Sequence, residues 1–395
     1  MTAPLDGIVV VSLEQAIAAP FATRQLADLG ATVIKVERPE GDFARHYDSV
    51  VVGQSAFFVW ANRGKQSVAL DVKDPDGAAT LANLIAGCDV FLHNLSPRAA
   101  RSLGIDAATL HERYPRLIAA EISGYGLDGP RTDDKAYDLA IQAEAGVFSV
   151  TGDEVMSKAG FSAADISAGM YALSSILAAL LRRERTGEGA AVHVAMLDVL
   201  AEWMAAPMYG AVYGSGQPAR TGRRHHAIAP YGTFPLTDGS TILIAVQRDE
   251  EWRRLAEHLL DDPGLGTDPR FATNSDRIAH VDELERRLND RLGAMRAEEA
   301  RERLAAGQIA YAHVNDLRDL WEHEQLRARG RFATVSTPSG EVELLASPFD
   351  ISGVTGARPR IPEVDEHDPD VVAAVVNAGR VSRANAERTQ PGGAP

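Results

Sequence analysis

Two short apolar runs separated by one helix-length segment open the chain, and they constrain the fold more than any other feature. Ile8-Val-Val-Val-Ser-Leu13 has the length and branched content of a buried strand, and Thr32-Val-Ile-Lys-Val36 reads as a second. Between them the loop Glu14 to Ala19 leads to Pro20, which suits the first turn of a helix that runs to about Gly30. A strand, a helix and a strand in that order imply a parallel sheet. Ser67-Val-Ala-Leu-Asp71, Val90-Phe-Leu-His93 and Leu117-Ile-Ala-Ala-Glu-Ile122 continue the strand pattern, with helical stretches between most of them. The expected first lobe is therefore a large, Rossmann-like, doubly wound α/β unit. Glu37 stands where a dinucleotide-binding lobe places its ribose-binding acid. The first loop lacks the Gly-x-Gly-x-x-Gly fingerprint, however, which demotes a nucleotide-dependent dehydrogenase.

From Asp165 the apolar period changes. Ile166, Met170, Leu173, Leu177, Leu180 and Leu181 fall on one helical stripe, closed by Arg182, Arg183 and Arg185, with Gly187 at its end. A second helix is expected around Ala195 to Ala206. Residues 215–330 differ: a basic, glycine-containing run gives way to the strand and turn Tyr231 to Gly239, the strand Thr241 to Val246, and charged helices such as Asp282 to Leu304. They read as a smaller α+β domain, in keeping with 395 residues, a length that suggests two lobes. The expected boundaries are a large domain over 1–205, a linker over 206–225, a small domain over 226–330, a return to the large domain over 331–380, and a disordered tail over 381–395.

The formal net charge of −15 argues against a general nucleic-acid partner, although a local cluster of Lys and Arg can still meet a phosphorylated ligand. Cys88, the one cysteine, excludes an intrachain disulfide and a cysteine metal cluster, and reads as a buried structural thiol. His225 and His226 are adjacent and do not have metal-ligand spacing. The start Met1-Thr-Ala-Pro-Leu-Asp6 does not resemble a signal peptide, and no run of about 18 apolar residues suggests a membrane span. The expectation is a cytoplasmic protein with no membrane partner, no metal and no redox cofactor.

Asp165 has two compatible readings. An aspartate just ahead of an apolar stripe is a favoured N-cap. It is also a carboxylate that a helix N-terminus keeps ionised, and it can act as a nucleophile. Around it stand Gly160-Phe-Ser-Ala-Ala-Asp165-Ile-Ser-Ala-Gly169-Met-Tyr171 and, earlier, Lys135-Ala-Tyr137-Asp138. With Leu29-Gly-Ala-Thr-Val-Ile-Lys-Val-Glu-Arg38-Pro, Asn62-Arg-Gly-Lys65-Gln-Ser-Val-Ala-Leu-Asp71, Asn94-Leu-Ser-Pro97 and Arg185-Thr-Gly-Glu-Gly189, these segments resemble the class III CoA-transferases, the CaiB/BaiF family. The resemblance extends over roughly residues 4 to 370.

The resemblance implies an interlocked homodimer and coenzyme A handled as an acyl-CoA substrate. It also implies an aspartyl anhydride and then an aspartyl-CoA thioester on Asp165. Carried across position by position, the CoA site includes Arg38, Lys65, Asn94, Lys135 and Tyr137. Ser102 stands where many members carry arginine, and Arg101 or Arg98 is the substitute. Ile17 stands where formyl-CoA transferases carry glutamine beside the substrate. Tyr137 replaces the histidine of the family's racemase branch, and a phenol is a poor base near neutrality. Transfer is therefore favoured over α-methylacyl-CoA racemisation; a core tyrosine is the bland reading. Gly214-Ser-Gly216 and Gly222 are candidate covers against water, or plain inter-domain loop. The run Arg220-Thr-Gly-Arg223-Arg224-His225-His226 reads either as a solvated basic face or as a holder for a remote carboxylate. With the following Ala-Ile-Ala-Pro230-Tyr231-Gly232 it resembles the branch that pairs succinyl-CoA with itaconate, mesaconate, citramalate or malate. Arg223, Arg224 and His225 are then substrate-binding candidates. A formyl- or oxalyl-type transferase is the alternative within the same chemistry, and a CoA-binding module without turnover is the alternative outside it.

Overall fold

The computed structural model describes residues 3–214, 216–352 and 359–389, with side chains in the last helix described as far as residue 384. Six parallel strands form the central sheet: β1 (Val9–Leu13), β2 (Thr32–Glu37), β3 (Lys65–Ala69), β4 (Val90–His93), β5 (Ile118–Ser123) and β6 (Ala190–Ala195), in the order β3-β2-β1-β4-β5-β6. The connecting helices are α1 (Ala18–Asp28), α2 (Ala56–Asn62), α3 (Pro75–Gly87), α4 (Pro97–Leu103), α5 (Ala107–Arg113), α6 (Asp138–Glu144), α7 (Val147–Val150) and α8 (Ala163–Thr186), with α9 (Met196–Trp203) after the last strand. This is the doubly wound lobe the alternating pattern predicts. The strand order reverses between β1 and β4, and in such sheets ligands bind beyond the carboxyl ends of the strands that flank this reversal.

One face of the sheet buries Val11, Ile34, Phe91 and Ala119 against Leu84, Ile85 and Leu110 of the covering helices. The other is covered by α1 and α8, which pack against each other. That packing is close because residue 169 is glycine: a Cβ there would sit 2.7 Å from the Ala18 carbonyl oxygen and 3.0 Å from the Phe21 ring. One turn before Gly169 is Asp165, so the same contact sets the head of α8 beside the β1–α1 loop.

Compact units divide as residues 1–146, 159–205 and 325–395 against 147–158 and 206–324. The second unit carries α10 (Ala205–Tyr213, from residue 206), β7 (Tyr231–Pro235), β8 (Thr241–Ala245), α11 (Asp249–His258), α12 (Asn274–Ala279), α13 (Val281–Leu292), α14 (Ala297–Ala306), β9 (Ala310–His313) and α15 (Leu317–Trp321). Its antiparallel sheet, β7-β8-β9, and its helices enclose Trp252, Leu255, Phe271, Leu284 and Leu288. In the first unit the chain returns through α16 (Glu324–Ala328, from residue 325), the hairpin β10 (Phe332–Thr337) and β11 (Gly340–Leu345), and α17 (Pro369–Thr389).

Several local expectations change. The segment 147–158 groups with the second unit, although it lies within the run of sequence expected to form the first lobe. The stretch expected as a linker begins as a helix, α10, and none of that helix's side chains is buried. Asp282 to Leu304 is two helices, broken where Gly293 ends the first. Residues 381–389, expected to be disordered, continue α17 as helix, whose Val375 joins the core of the first unit; residues 390–395 lie outside the described residues, as does Ser215 of the glycine pair. By length and composition α8 could cross a membrane, contrary to the sequence reading, yet half of its most apolar stretch is buried in the protein. Small residues such as Ala164, Ala168, Ala172 and Ala179 form much of that buried face, so it serves as a core helix. Cys88 ends α3, its thiol donating to the Ile85 carbonyl at 3.3 Å. Burial, and then Asp89, hold that thiol well above the usual range, so it stays protonated.

Candidate active site

The carboxyl ends of β1, β2 and β4 are tied together by polar groups that have no exposure to spare. Glu14, just past β1, accepts from Lys65 Nζ at 2.6 Å and lies 3.5 Å from Lys35 Nζ; Lys35 in turn donates to Asp42 Oδ2 at 2.8 Å. The side chains of Glu14, Lys35, Asp42 and Lys65 in these pairs are all fully buried. Burial pushes Glu14 up, but Lys65 and Lys35 more than offset it, and the carboxylate ends below its ordinary value. Arg45 closes the network on Glu37, with Nε 3.0 Å from Oε2. Buried charges survive only when paired and hydrogen-bonded in this way.

The loop this network anchors is held in an unusual shape. Ala16 adopts φ 61°, a left-handed conformation that disfavours residues with a Cβ, and its N–H donates to Asp42 Oδ1 at 3.2 Å. Asn94, just past β4, clamps the neighbouring residue from both sides: its Oδ1 accepts from Gln15 N at 3.0 Å and its Nδ2 donates to Gln15 O at 2.8 Å. The clamp spans the β1–β4 reversal.

Asp165 sits in the first turn of α8 and is partly buried. It is not the N-cap. Ser162 holds the N-cap position without a side-chain cap, and the helix is capped from outside: Asp138 Oδ1 accepts from Ala164 N at 2.8 Å and from Asp165 N at 3.2 Å. Gln142, one turn along α6, donates through Nε2 to Asp138 Oδ2 at 2.7 Å and to Phe161 O at 3.3 Å, and accepts from Ala159 N at 2.9 Å through Oε1. Among the described residues no hydrogen-bond donor reaches the Asp165 carboxyl. Burial, and then the Asp138 charge, raise it from 3.8 to about 7. The expectation of a plainly ionised carboxylate is thereby corrected: the helix terminus that would have favoured the charge is already occupied by a second acid.

Tyr47 stands close enough to Asp165 to feel its charge. Burial, Asp42, Asp165 and Tyr137 together push Tyr47 up to about 12, so it remains a neutral phenol. Tyr47 packs edge-on to Phe57 with ring centroids 5.6 Å apart and lies 5.7 Å from Phe43. Tyr137 is 70% exposed, which rules out the core-tyrosine reading, and it is close enough to Tyr47 to act on it.

A model of CoA-transferase family III matches residues 5–368. The chain belongs to CoA-transferase family III. The succinate–glutarate CoA-transferase of Agrobacterium fabrum is 34% identical over 349 residues, spanning 86% of this chain and 87% of that one. The acetyl-CoA:oxalate CoA-transferase of Acetobacter aceti is 34% identical over 370 residues, 92% of this chain and 93% of that one. Among solved structures, a CaiB/BaiF family protein from Brucella suis superposes with a TM-score of 0.82 at 32% identity, covering 95% of this chain and all of that one. The protein is thus a family III CoA-transferase enzyme, as the motif resemblance implies.

Not every candidate residue of the transferase is where a ligand can reach it. Lys65 is enclosed by Glu14, the Pro20 carbonyl and Asn62, so its ammonium is spent inside the fold and cannot meet a phosphate; the sequence had suggested a CoA contact. Ile17, expected beside the substrate, is 3% exposed and packs inward at the start of α1. Arg38 and Asn94 do converge: Arg38 is exposed, and its Nη2 lies 3.4 Å from Gln15 Oε1, on the residue that Asn94 clamps. Arg101 is exposed on α4, 3.7 Å from Asp133, and Lys135 is exposed three residues ahead of Asp138. Arg223, Arg224 and His225 belong to the second unit. There Arg223 and Arg224, with Arg220, line a cavity of about 210 Å³ together with Asp153 and Glu285. His225 instead stacks between His226 and Tyr231 at 4.8 and 5.3 Å.

A cavity of about 820 Å³ opens at the amino edge of the sheet, by Gly30, Arg63, Lys65, Gln66 and Arg360. Two of its three arginines are paired with acids, Arg63 with Asp28 at 2.7 Å and Arg360 with Glu366, and Arg331 donates to the Ser347 carbonyl. Sequence reasoning missed Asp138, Gln142, Tyr47 and Glu14. The i, i+4 spacing of Asp138 and Gln142 was visible as a pair on one helix face, but nothing local tied that pair to α8.

Proposed function

We propose that the protein moves CoA from succinyl-CoA to a small dicarboxylic acid, with Asp165 as the covalent carrier. The observation that carries the reading is the Asp165 carboxyl: partly buried, unpaired among the described residues, and held near 7 at the carboxyl edge of the sheet. A carboxylate of raised basicity is a better nucleophile than the free acids it exchanges with. Its oxygen attacks the thioester carbonyl, the carbon–sulfur bond breaks, and the CoA thiolate leaves behind a mixed anhydride. The thiolate then attacks the Asp165 carbonyl, releasing succinate and leaving an aspartyl-CoA thioester. The incoming carboxylate attacks that thioester, forming a second anhydride and freeing the thiolate again. Attack of the thiolate on the acceptor's acyl carbon yields the new acyl-CoA and restores Asp165. No net proton is consumed. Tyr47, which feels Asp165 and packs on Phe57, would oppose hydrolysis of the anhydrides by shielding that side of the carboxyl.

Succinyl-CoA and a dicarboxylate are supported by the Agrobacterium relative, whose name joins succinate to glutarate. The Acetobacter relative supports the second reading, a shorter donor with oxalate as acceptor. Exposed Arg38, Arg98, Arg101 and Lys135 follow β2 and β4 or precede α6, and we assign them to the CoA phosphates. In the second unit we assign the arginine-lined cavity to a carboxylate, since three arginines outnumber the two acids there. A homodimer is supported by α10, whose Met208, Tyr209, Val212 and Tyr213 are exposed on a helix that buries nothing in this chain. The reaction needs the intracellular acyl-CoA pool, which supports a cytoplasmic location. A racemase is not favoured, because Tyr137 stands where the racemase branch carries its histidine, and a phenol is a poor base near neutrality.

The test is acyl exchange read by mass spectrometry. The protein is mixed with succinyl-CoA and, separately, with glutarate, itaconate, mesaconate, citramalate, malate, formate or oxalate. A new CoA ester that Asp165→Ala does not make, together with a hydroxylamine-sensitive CoA adduct on Asp165, is the expected result. Exchange of undiminished rate by folded Asp165→Ala would sink the reading.

A further inference from the structure

We infer that Asp138 is a positioning residue of the transfer reaction: by taking both free backbone donors at the head of α8 it leaves the Asp165 carboxyl unpaired, and its charge disfavours the free carboxylate relative to the acylated one. The inference rests on the proposed role of Asp165 and adds to it. A helix N-terminus offers N–H groups and a partial positive charge to the nearest acid, and an acid in the third helical position commonly folds back onto the N-cap. Here the nearest acid in sequence is Asp165, and it receives neither. Asp138 Oδ1 takes Ala164 N at 2.8 Å and Asp165 N at 3.2 Å.

The arrangement is held rigidly from α6. Gln142 fixes the second Asp138 oxygen at 2.7 Å and also fastens the backbone on the approach to α8, through Ala159 N and Phe161 O. One glutamine therefore ties the cap and the segment that carries the nucleophile into a single unit. The ionisable groups that feel one another around the carboxyl are Asp138 from α6, Tyr137 immediately ahead of it, and Tyr47 after the 3₁₀ turn Phe43–His46. Tyr47 stays neutral near pH 7, and the charge that acts on Asp165 is that of Asp138.

The chemical consequence follows from charge. Asp165 is an anion when free but neutral as an anhydride or a thioester. A fixed negative neighbour destabilises only the free form, so Asp138 shifts the internal equilibrium toward the covalent intermediates. Nothing has to move for this to happen.

The test compares Asp138→Asn, which keeps an oxygen to cap α8 but loses the charge, with Asp138→Ala, which loses both, and Gln142→Leu, which loosens the fastening. Three quantities are read: the ligand-free titration of the Asp165 carboxyl by ¹³C NMR, assigned with Asp165→Asn; the fraction of protein trapped as the CoA thioester with succinyl-CoA; and the acid limb of kcat/KM. Asp138→Asn is expected to lower the Asp165 midpoint by about one pH unit, with the acid limb following, and to reduce the trapped fraction about tenfold. Asp138→Ala is expected to lower kcat further through misplacement, and Gln142→Leu to lower kcat with the midpoint little changed. If wild-type protein exchanges acyl groups and Asp138→Asn matches it in midpoint, trapped fraction and pH limb, the inference is overturned. If wild-type protein forms no adduct and exchanges nothing, the proposed function fails instead. The titration still decides whether Asp138 governs the carboxyl, and an unmoved midpoint overturns the inference in that case too.

Discussion

Replacing Asp165 with asparagine should stabilise the protein, slightly in mild acid and most at neutral and alkaline pH. The carboxyl titrates at about 7 in the fold and near 3.8 when the chain is unfolded. Between those values the folded state keeps a proton that the unfolded state releases, so this residue's contribution to stability falls as pH rises. Below both values it contributes nothing; above 7 the full penalty applies. At about 1.36 kcal/mol for each pH unit, the rise amounts to about 4 kcal/mol. Asparagine resembles the protonated acid in shape and carries no charge, so it avoids the penalty. The assay is urea or thermal denaturation of wild type and Asp165→Asn at pH 4.5 and pH 8.5. Other groups titrate alike in both proteins and largely cancel in the difference. The expected advantage of the variant is about 1 kcal/mol at the lower pH and about 4 kcal/mol at the higher. An advantage of the same size at both would refute the reasoning, because it would show that Asp165 is not held protonated by its surroundings.

Three further outcomes are expected. Lys65→Met strands the buried Glu14 carboxylate and should cost about 3–5 kcal/mol in denaturation; a variant as stable as wild type with a raised KM for the acyl-CoA would return Lys65 to the ligand. Gly169→Val places a side chain where a Cβ alone would be 2.7 Å from the Ala18 carbonyl, so α8 and α1 must part; a loss of at least about 1–3 kcal/mol, with transfer abolished, is expected in melting and exchange assays. Asn94→Ala removes both bonds to Gln15; it should cost about 1–3 kcal/mol and raise the KM for acyl-CoA more than it lowers kcat in steady-state kinetics.

The parallel sheet was legible because β1, β2, β4 and β5 are short, mainly apolar runs bounded by turn residues, a pattern that depends on nearest neighbours alone. The small domain was legible in outline for the same reason. What the pattern does not carry is which polar residue meets which. Lys35 lies in the apolar run of β2, and no local rule says whether such a lysine reaches solvent or a buried acid; it reaches Glu14 and Asp42. Lys65 matched a motif and was taken for a phosphate ligand, but its partner is Glu14, far away in sequence, and only the pairing of β1, β2 and β3 brings the two together. The C-terminal helix is not legible in the sequence, where residues up to 380 read only as a return to the large domain and the polar stretch beyond as a tail; its support comes from close packing on α3, where a Cβ at Gly379 would lie 1.8 Å from the Asn83 carbonyl.

The head of α8 shows most clearly how a local rule can misplace a helix cap. Capping preferences point to the acid nearest the helix start, and Asp165 fits them. The cap actually comes from Asp138, on another helix. Once that donor pair is occupied, the same physics that would have made Asp165 an unreactive, well-solvated cap makes it a basic carboxyl with nothing bound to it. A nucleophile must keep its lone pairs free and yet be held in place, and an acid in its own cap box achieves only the second. In the proposed reaction, dividing the work between two acids, one to satisfy the helix and one to react, would meet both needs, so the pair Asp138 and Asp165 carries the proposal further than Asp165 alone.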